Sequence, residues 1–225
     1  MSTETKRVLI NITSYNREDE LKNIINQLEG FDLKVWDDCS DFKIEYTHVW
    51  DNKQTYYQYQ NNFSKKRAWA KFENIFDELK KTDYDYYIFM PEDVELCEGF
   101  VNKSIELWDS IEDSNKISLS FQDDKRVETS CFTCKDPVDK GNVILTQWND
   151  LFFICSKTFL DKVEITEVPI DRWDKNPLLS SGVGSMISHQ MVDKGLNMYH
   201  SKESMAKHIG SESKMNFSER KINKL

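Results

Sequence analysis

Residues 85–96 read Asp85-Tyr86-Tyr87-Ile88-Phe89-Met90-Pro91-Glu92-Asp93-Val94-Glu95-Leu96. The aromatic and apolar run Tyr86–Met90 is a buried strand by composition and length. Pro91 ends it, because proline donates nothing to a ladder and holds the preceding residue extended. Three acids follow within four positions, Glu92, Asp93 and Glu95. Open α/β sheets build ligand sites by delivering polar groups at the carboxyl ends of buried strands. Hard oxygen ligands there suit Mg2+ or Mn2+, and such an ion suits a phosphate. The competing reading is a strand followed by a solvated acidic turn, so the rest of the chain must decide.

Upstream, residues 7–12 are a second short apolar run, closed by Thr13-Ser14-Tyr15-Asn16-Arg17. Leu21, Ile24, Ile25 and Leu28 then recur with the period of an amphipathic helix, which Gly30 ends. Asn16 or Ser14 is placed to cap that helix, and Glu18, Asp19 and Glu20 lie near its positive end. Residues 31–36 form a strand running into Asp37-Asp38-Cys39-Ser40, and residues 44–50 form a third. Residues 51–63 are polar and aromatic without clear period and read as a loop. A helix over 64–81 has Trp69, Phe72, Ile75, Phe76 and Leu79 as its buried stripe, with Lys65, Lys66 and Arg67 in its first turns. Cations there oppose the helix dipole, which hints at a nearby anion.

Beyond the acidic stretch, helices are expected at about 99–111, 157–163 and 182–194. Strands are expected at 117–121, 143–148, 151–156 and 196–200. Residues 122–142 read as a charged excursion, 169–181 as an irregular loop, and everything after 200 as a polar, mildly basic tail. Strand and helix alternate through the first half, which predicts an α/β fold with a mixed, mostly parallel sheet flanked by helices. Its polar clusters at 14–17, 37–38 and 92–93 then share one rim.

Composition narrows the class. The 225 residues carry a net charge of -9, with 39% hydrophobic and 31% charged residues. That balance belongs to a globular chain and argues against a broadly basic nucleic-acid binder. No apolar stretch is long enough to span a bilayer and the first residues carry no apolar core of a signal peptide, so a cytoplasmic protein with no membrane partner is expected. Five cysteines include one isolated CxxC, Cys131 and Cys134, without the second pair a zinc site needs. The seven glycines form neither GxxxxGK[ST] nor GxGxxG, so phosphate cradling by a glycine-rich loop is not expected.

The ordered set Ile12–Arg17, Val35–Ser40, Ile88–Leu96 and His208–Ser213 resembles the motifs of GT-A (Rossmann-like) fold glycosyltransferases, in particular those similar to glycosyltransferase family 2. Residues 88–96 stand at that family's DxD motif, and 208–213 resemble its late H-x-G-x-x-S segment. Pro91 and Glu92 depart from the family, which commonly has Asp there, and Ser64-Lys65 replaces a glycine-containing turn. The resemblance implies a single domain over 1–225. A nucleotide-sugar half over about 1–96 is followed by an acceptor half over about 97–210 and a mobile tail over 211–225. It implies a metal-dependent glycosyltransferase (EC 2.4 class), with a UDP-sugar favoured as donor and Mn2+ or Mg2+ as the metal. Thr13, Tyr15, Arg17, Asp37, Asp38, Lys65, Arg67 and Glu92 would hold the nucleotide, and Asp93 and His208 the metal. Glu95 is expected to be a solvated bystander.

A base for the acceptor hydroxyl is sought among Asp150, Asp171 and Asp174. Asp171 and Asp174 are favoured, since they flank Arg172 and Trp173 and tryptophan can stack on a sugar. The acceptor classes are a glycan, a protein, or a hydroxylated base in DNA, as in phage enzymes of this general kind. For DNA, Lys65–Arg67 and the cations Lys207, Lys214, Arg220, Lys221 and Lys224 offer local positive charge. Two rival functions share the sheet: a nucleotidyltransferase making a nucleotide sugar, and a non-catalytic nucleotide-sugar-binding module.

Overall fold

A computed structural model describes residues 6–42, 54–63, 66–121, 137–149, 151–169 and 181–209. The expected strand at 44–50, the CxxC, Lys65, Asp150, Asp171, Asp174 and the segment 211–225 lie outside the described residues. The elements are β1 (Val8–Ser14), α1 (Glu18–Gln27), β2 (Asp32–Asp37), β3 (Gln54–Gln58), α2 (Ala68–Lys80), β4 (Tyr86–Pro91) and β5 (Val94–Leu96). They continue as α3 (Phe100–Ser110), β6 (Lys116–Ser120), β7 (Val138–Asp139), β8 (Val143–Leu145) and β9 (Phe153–Ser156). The last are α4 (Lys157–Lys162), α5 (Val183–Asp193), β10 (Asn197–Ser201) and β11 (Ala206–His208).

Among the described residues, nine strands form one sheet in the order β3-β2-β1-β4-β9-β6-β10-β8-β7, and β11 and β5 form a separate pair. Seven strands of the large sheet (β1, β2, β3, β4, β6, β7 and β10) point one way, and β8 and β9 the other. The sheet is thus mixed and mostly parallel, as the alternation of elements predicts.

The strand period of two sorts the core onto two faces. Val8, Ile10, Ile12, Ile88 and Met90 face α1 and α3, with Leu21, Ile24, Phe100 and Trp108 opposite them. Leu9, Trp36, Tyr87, Phe89 and Phe153 face α2, α4 and α5, with Phe72, Phe76, Phe159 and Ile187 opposite. Phe89 and Phe153, neighbours across the β4–β9 ladder, stack with centroids 4.8 Å apart. Phe76 and Phe159 close on them from the helices. Aromatic pairs of this kind add stability beyond their buried area.

The polar rim follows from connectivity. The chain leaves β1 through α1 to β2 on one side, and returns later to β4 on the other. Strand order therefore reverses between β1 and β4, and a crevice opens outside their carboxyl ends. Pro91 sits at the very end of β4, opposite Thr13, where the missing N–H costs least.

Several local expectations are corrected. Gln54–Gln58, read as loop, is the edge strand β3, parallel to β2. Its side chains alternate between polar work at the rim and packing: Tyr57 stacks on Trp36 at 4.6 Å, and Lys34 lies over both rings. The N-cap of α1 is Arg17 rather than Ser14 or Asn16, and no side chain caps it. Asn16 instead takes the left-handed conformation, φ 51°, which asparagine tolerates better than most residues. From there its side chain pairs with Asp41 through two hydrogen bonds of 3.2 and 2.8 Å. Helix α2 begins at Ala68, so Arg67 is its N-cap rather than part of its first turns. Residues 206–208, assigned to the tail, form β11. Residues 146–148, assigned to a strand, lie beyond the end of β8, and part of the expected 122–142 excursion is strand β7.

Candidate functional site at the carboxyl ends of β1, β2 and β4

Two carboxylate clusters occupy the rim. The first is built at the β1–β4 crevice. β4 delivers Glu92 and Asp93, and the turn after β1 delivers Tyr15 and Arg17. The Glu92 Oε1 accepts the Tyr15 N–H at 3.4 Å. Arg17, only 5% exposed, places its guanidinium 3.6 Å from Glu92 Oε1, 3.6 Å from Asp93 Oδ2 and 3.5 Å from Glu20 Oε1. Burial, reinforced by the Asp93 charge, pushes the Glu92 carboxyl up to about 7.

The remaining member arrives from the far end of the chain. β11 pairs antiparallel with β5, setting His208 opposite Val94, and the Ile209 N–H donates to Asp93 O at 3.0 Å. His208 Nδ1 then lies 3.5 Å from Asp93 Oδ1, with its side chain 30% exposed. Two ligands side by side on an octahedral ion with bonds of about 2.1 Å sit roughly 3 Å apart. The Asp93–His208 spacing is close to that, so these two donors fit a Mg2+ or Mn2+ ion. No group of three or more His, Cys, Asp or Glu able to hold a metal occurs among the described residues. A two-ligand site leaves coordination positions for phosphate oxygens and water, which is how Mg2+ is usually held beside a nucleotide. Glu95 is exposed on the other side of β5, as expected.

The second cluster, at the end of β2, is sealed. Asp37 is 0% exposed. Its Oδ1 accepts the Ser40 hydroxyl and, at 3.3 Å, the Ser40 N–H. Its Oδ2 accepts the Tyr56 hydroxyl and, at 3.0 Å, the Gln58 amide. The turn that brings Ser40 round passes through Cys39 at φ 63°, a conformation that costs free energy outside glycine. Asp38 is equally buried. It receives the Phe63 N–H at 2.7 Å on Oδ1, and Lys71 Nζ stands 3.4 Å from Oδ2. Its main-chain N–H donates to Ser14 O at 2.8 Å and its carbonyl accepts the Asn62 amide at 2.9 Å. The two aspartates thus clasp β1, β2, β3 and α2 together.

Thr13 is half-buried at the end of β1, with Trp36 and Pro91 as its ladder partners. Arg67 is exposed and touches neither cluster among the described residues, its N–H donating to Phe63 O at 3.0 Å. Three polar atoms near this corner are buried without a hydrogen-bond partner among the described residues: Ser14 Oγ, Tyr59 OH and Trp69 Nε1. The Tyr59 hydroxyl is pushed up to about 12 by burial and by the Asp38 charge.

Lys71, 3% exposed, escaped the sequence reading, as did Tyr56 and Gln58. The signal for Lys71 was its place on the buried stripe, between Ala68 and Ile75 at helical spacing. A lysine there needs a buried anion.

The architecture is shared with solved proteins. The chain aligns over 92% of its length with GalNAc-T7 bound to UDP, GalNAc and Mn2+, at a TM-score of 0.61 and 10% identity. It aligns over 89% with S. aureus TarS residues 1–349, at 0.51 and 13%. It also aligns over 90% with the mannosyltransferase PcManGT from Pyrobaculum calidifontis, in complex with GDP-Man and Mn2+, at 0.52 and 11%. It spans 44%, 59% and 56% of those chains, respectively. No protein-family profile and no curated protein matches the sequence. The fold is therefore the GT-A glycosyltransferase fold, as the motifs imply. No helix among the described residues is long and apolar enough to cross a membrane.

Proposed function

We propose that the protein transfers a sugar from a nucleotide-diphosphate sugar, a UDP-sugar foremost, to an acceptor hydroxyl, with a divalent metal. The observation that carries this is the pairing of Asp93 Oδ1 with His208 Nδ1 at 3.5 Å, at the carboxyl end of the central strand and beside a strand-order reversal. Asp93 and His208 would hold Mn2+ or Mg2+. When bound, the ion supplies Lewis-acid neutralisation of the diphosphate leaving group. Arg17, the buried cation beside that carboxylate, takes a share of the same charge through its planar donor fork. Tyr15, Thr13 and Glu92 line the crevice for the nucleoside end. Asp37 and Asp38 act on it by fixing the loops after β2 and β3, and Lys65 and Arg67 remain candidates for the nucleotide on the resemblance alone. Asp171 and Asp174 are the candidates to take the proton of the acceptor hydroxyl. The acceptor is a glycan, a protein or a hydroxylated DNA base, each reached from solution.

A thermal-shift screen with UDP-, GDP- and CMP-sugars, with and without Mn2+, tests the reading. A ligand that binds the native state stabilises it by mass action. One nucleotide class should raise Tm in the presence of Mn2+, and Asp93→Ala should remove the metal-dependent part of that rise. An equal rise in Asp93→Ala, or none with any donor, would refute the assignment. Product analysis settles the reaction type: a released nucleoside diphosphate supports transfer, whereas pyrophosphate supports nucleotidyl transfer.

A further inference from the structure

We propose that a groove along α3 seats a neutral glycan chain whose end is the acceptor. The inference rests on the reading of the β1–β4 crevice as a sugar-transfer site. Two cavities of about 710 and 510 Å³ lie between α3 and the β7–β8 turn. They adjoin at Ser110, Gly141 and Asn142, which line both. Each has the size of a small-molecule site. The first reaches Asp113 and Asn197, at the amino end of β10. The second follows β10 to its carboxyl end, at Ser201 and Met205. β10 runs in the same direction as β4, so the groove climbs toward the rim that carries Asp93. Met205 leads directly into β11, and His208 stands about 10 Å further along at the usual strand rise.

The walls are polar and fixed. Gly141 takes φ 79° in the turn, where the Lys140 N–H donates to Val143 O and the Gly141 N–H to Asp139 Oδ1, both at 2.9 Å. Asn142 is thereby set on one wall with its side chain exposed, and its carbonyl accepts the Lys202 N–H at 3.1 Å. On the other wall Ser110 ends α3. At the amino end of β10, Asp113 Oδ2 accepts the Tyr199 hydroxyl at 2.6 Å and the Asn197 amide at 2.8 Å. Asn197 Oδ1 in turn accepts the Gln147 amide at 3.1 Å. Tyr199 is buried, so the sheet holds this network in place. Polar groups ordered before a ligand arrives lower the cost of binding it.

Charge selects among ligands. The first cavity sets Lys140 against Glu112 and Asp113, the second Lys103 and Lys202 against Glu106 and Glu203, so neither sign prevails. A nucleic-acid backbone, with one charge per about 1.7 Å of duplex, is bound by unopposed cations. A peptide is anchored by apolar pockets, and the large apolar side chains exposed among the described residues, Val138 and Ile209, lie outside both cavities. A neutral sugar chain presents hydroxyls, each both donor and acceptor. Carboxylates that accept, ammoniums that donate and amides that do both are the matching set.

The test measures binding by calorimetry, without nucleotide or metal, to neutral hexasaccharides of glucose, mannose and galactose and to a short DNA duplex. Wild type is compared with Ser110→Trp and Asn142→Ala, exposed positions outside the crevice whose exchange should leave the unfolding midpoint in place. At least one hexasaccharide should bind wild type. Ser110→Trp fills the junction of the two cavities and should weaken that binding by more than about tenfold, and Asn142→Ala, which removes one polar partner, by about threefold. Binding of no hexasaccharide, or equal binding by all three proteins, overturns the inference. Duplex binding that Ser110→Trp abolishes overturns it in favour of DNA. Groove-dependent glycan binding by a protein that takes up no nucleotide sugar, with or without Mn2+, upholds the glycan site and refutes the transferase reading beneath it. Nucleotide-sugar binding without groove-dependent glycan binding refutes the glycan site alone.

Discussion

The acid pair after β4 and the acid pair after β2 are chemically alike and lie on the same rim, yet their surroundings differ in kind. Asp37 receives hydrogen bonds on both oxygens from Ser40, Tyr56 and Gln58, and Asp38 has Phe63 and Lys71. Glu92 and Asp93 have longer ion pairs to Arg17, a weak bond from Tyr15 and a half-exposed histidine. Burial leaves Glu92 well above the ordinary carboxylate range. A carboxylate saturated by short hydrogen bonds works as a fastening, whereas the acids after β4 are paired at 3.5 to 3.6 Å with a buried guanidinium and an imidazole. What separates the two is how completely neighbouring elements supply donors.

The largest expected effect is on the sealed side. Lys71→Met leaves Asp38 buried without its cation and should cost about 3–5 kcal/mol of unfolding free energy, read by denaturant titration. Adding Asp38→Asn to that variant should recover part of the loss. A Lys71→Met protein as stable as wild type would mean the clasp holds nothing. On the open side the order of effects is reversed. Asp93→Asn should weaken Mn2+-dependent nucleotide binding and lower sugar transfer by more than about a hundredfold, since a metal ligand at the leaving group contributes several kcal/mol. Its unfolding midpoint should move far less than that of Lys71→Met. Equal stability losses in the two variants would erase the distinction. His208→Gln is the smallest of the three. With its ring 30% exposed, stability should stay within about 0.5 kcal/mol, while Mn2+ affinity measured by calorimetry falls about tenfold.

The two sides were not equally legible in the sequence, and one physical reason accounts for both. Strands β1 and β4 are buried on both faces and therefore read as apolar runs, β2 alternates between buried and partly exposed positions, and the acids at or after their ends stand out. Asp93 and His208 could be paired only through the resemblance, because β5 and β11 have three residues each and no period to detect. Strand β3 is a polar edge strand, so its Tyr56 and Gln58 were not expected beside Asp37. Without them the Asp37-Asp38 pair looks as open to a nucleotide as the pair after β4. Lys71 was hidden by its own length: on a helix with a strong apolar stripe, a lysine is normally taken to reach solvent. The base candidates Asp171 and Asp174 lie outside the described residues and stand on the resemblance and their loop context alone.

The three-residue pairing of β11 with β5 sets a clock as well as a position. Native-state opening is least costly where few buried contacts and short ladders hold a segment. His208 hangs from such a clip, while Asp93 is anchored to a nine-stranded sheet. Amide protons of residues 206–208 should therefore exchange with solvent orders of magnitude faster than those of β4, and slow when the crevice is filled. The lifetime of the bound state would then be governed by how often a short ribbon peels away, and changes to Leu96 or Ala206, the pair at the other end of that ladder from His208, would alter residence time more than the chemistry.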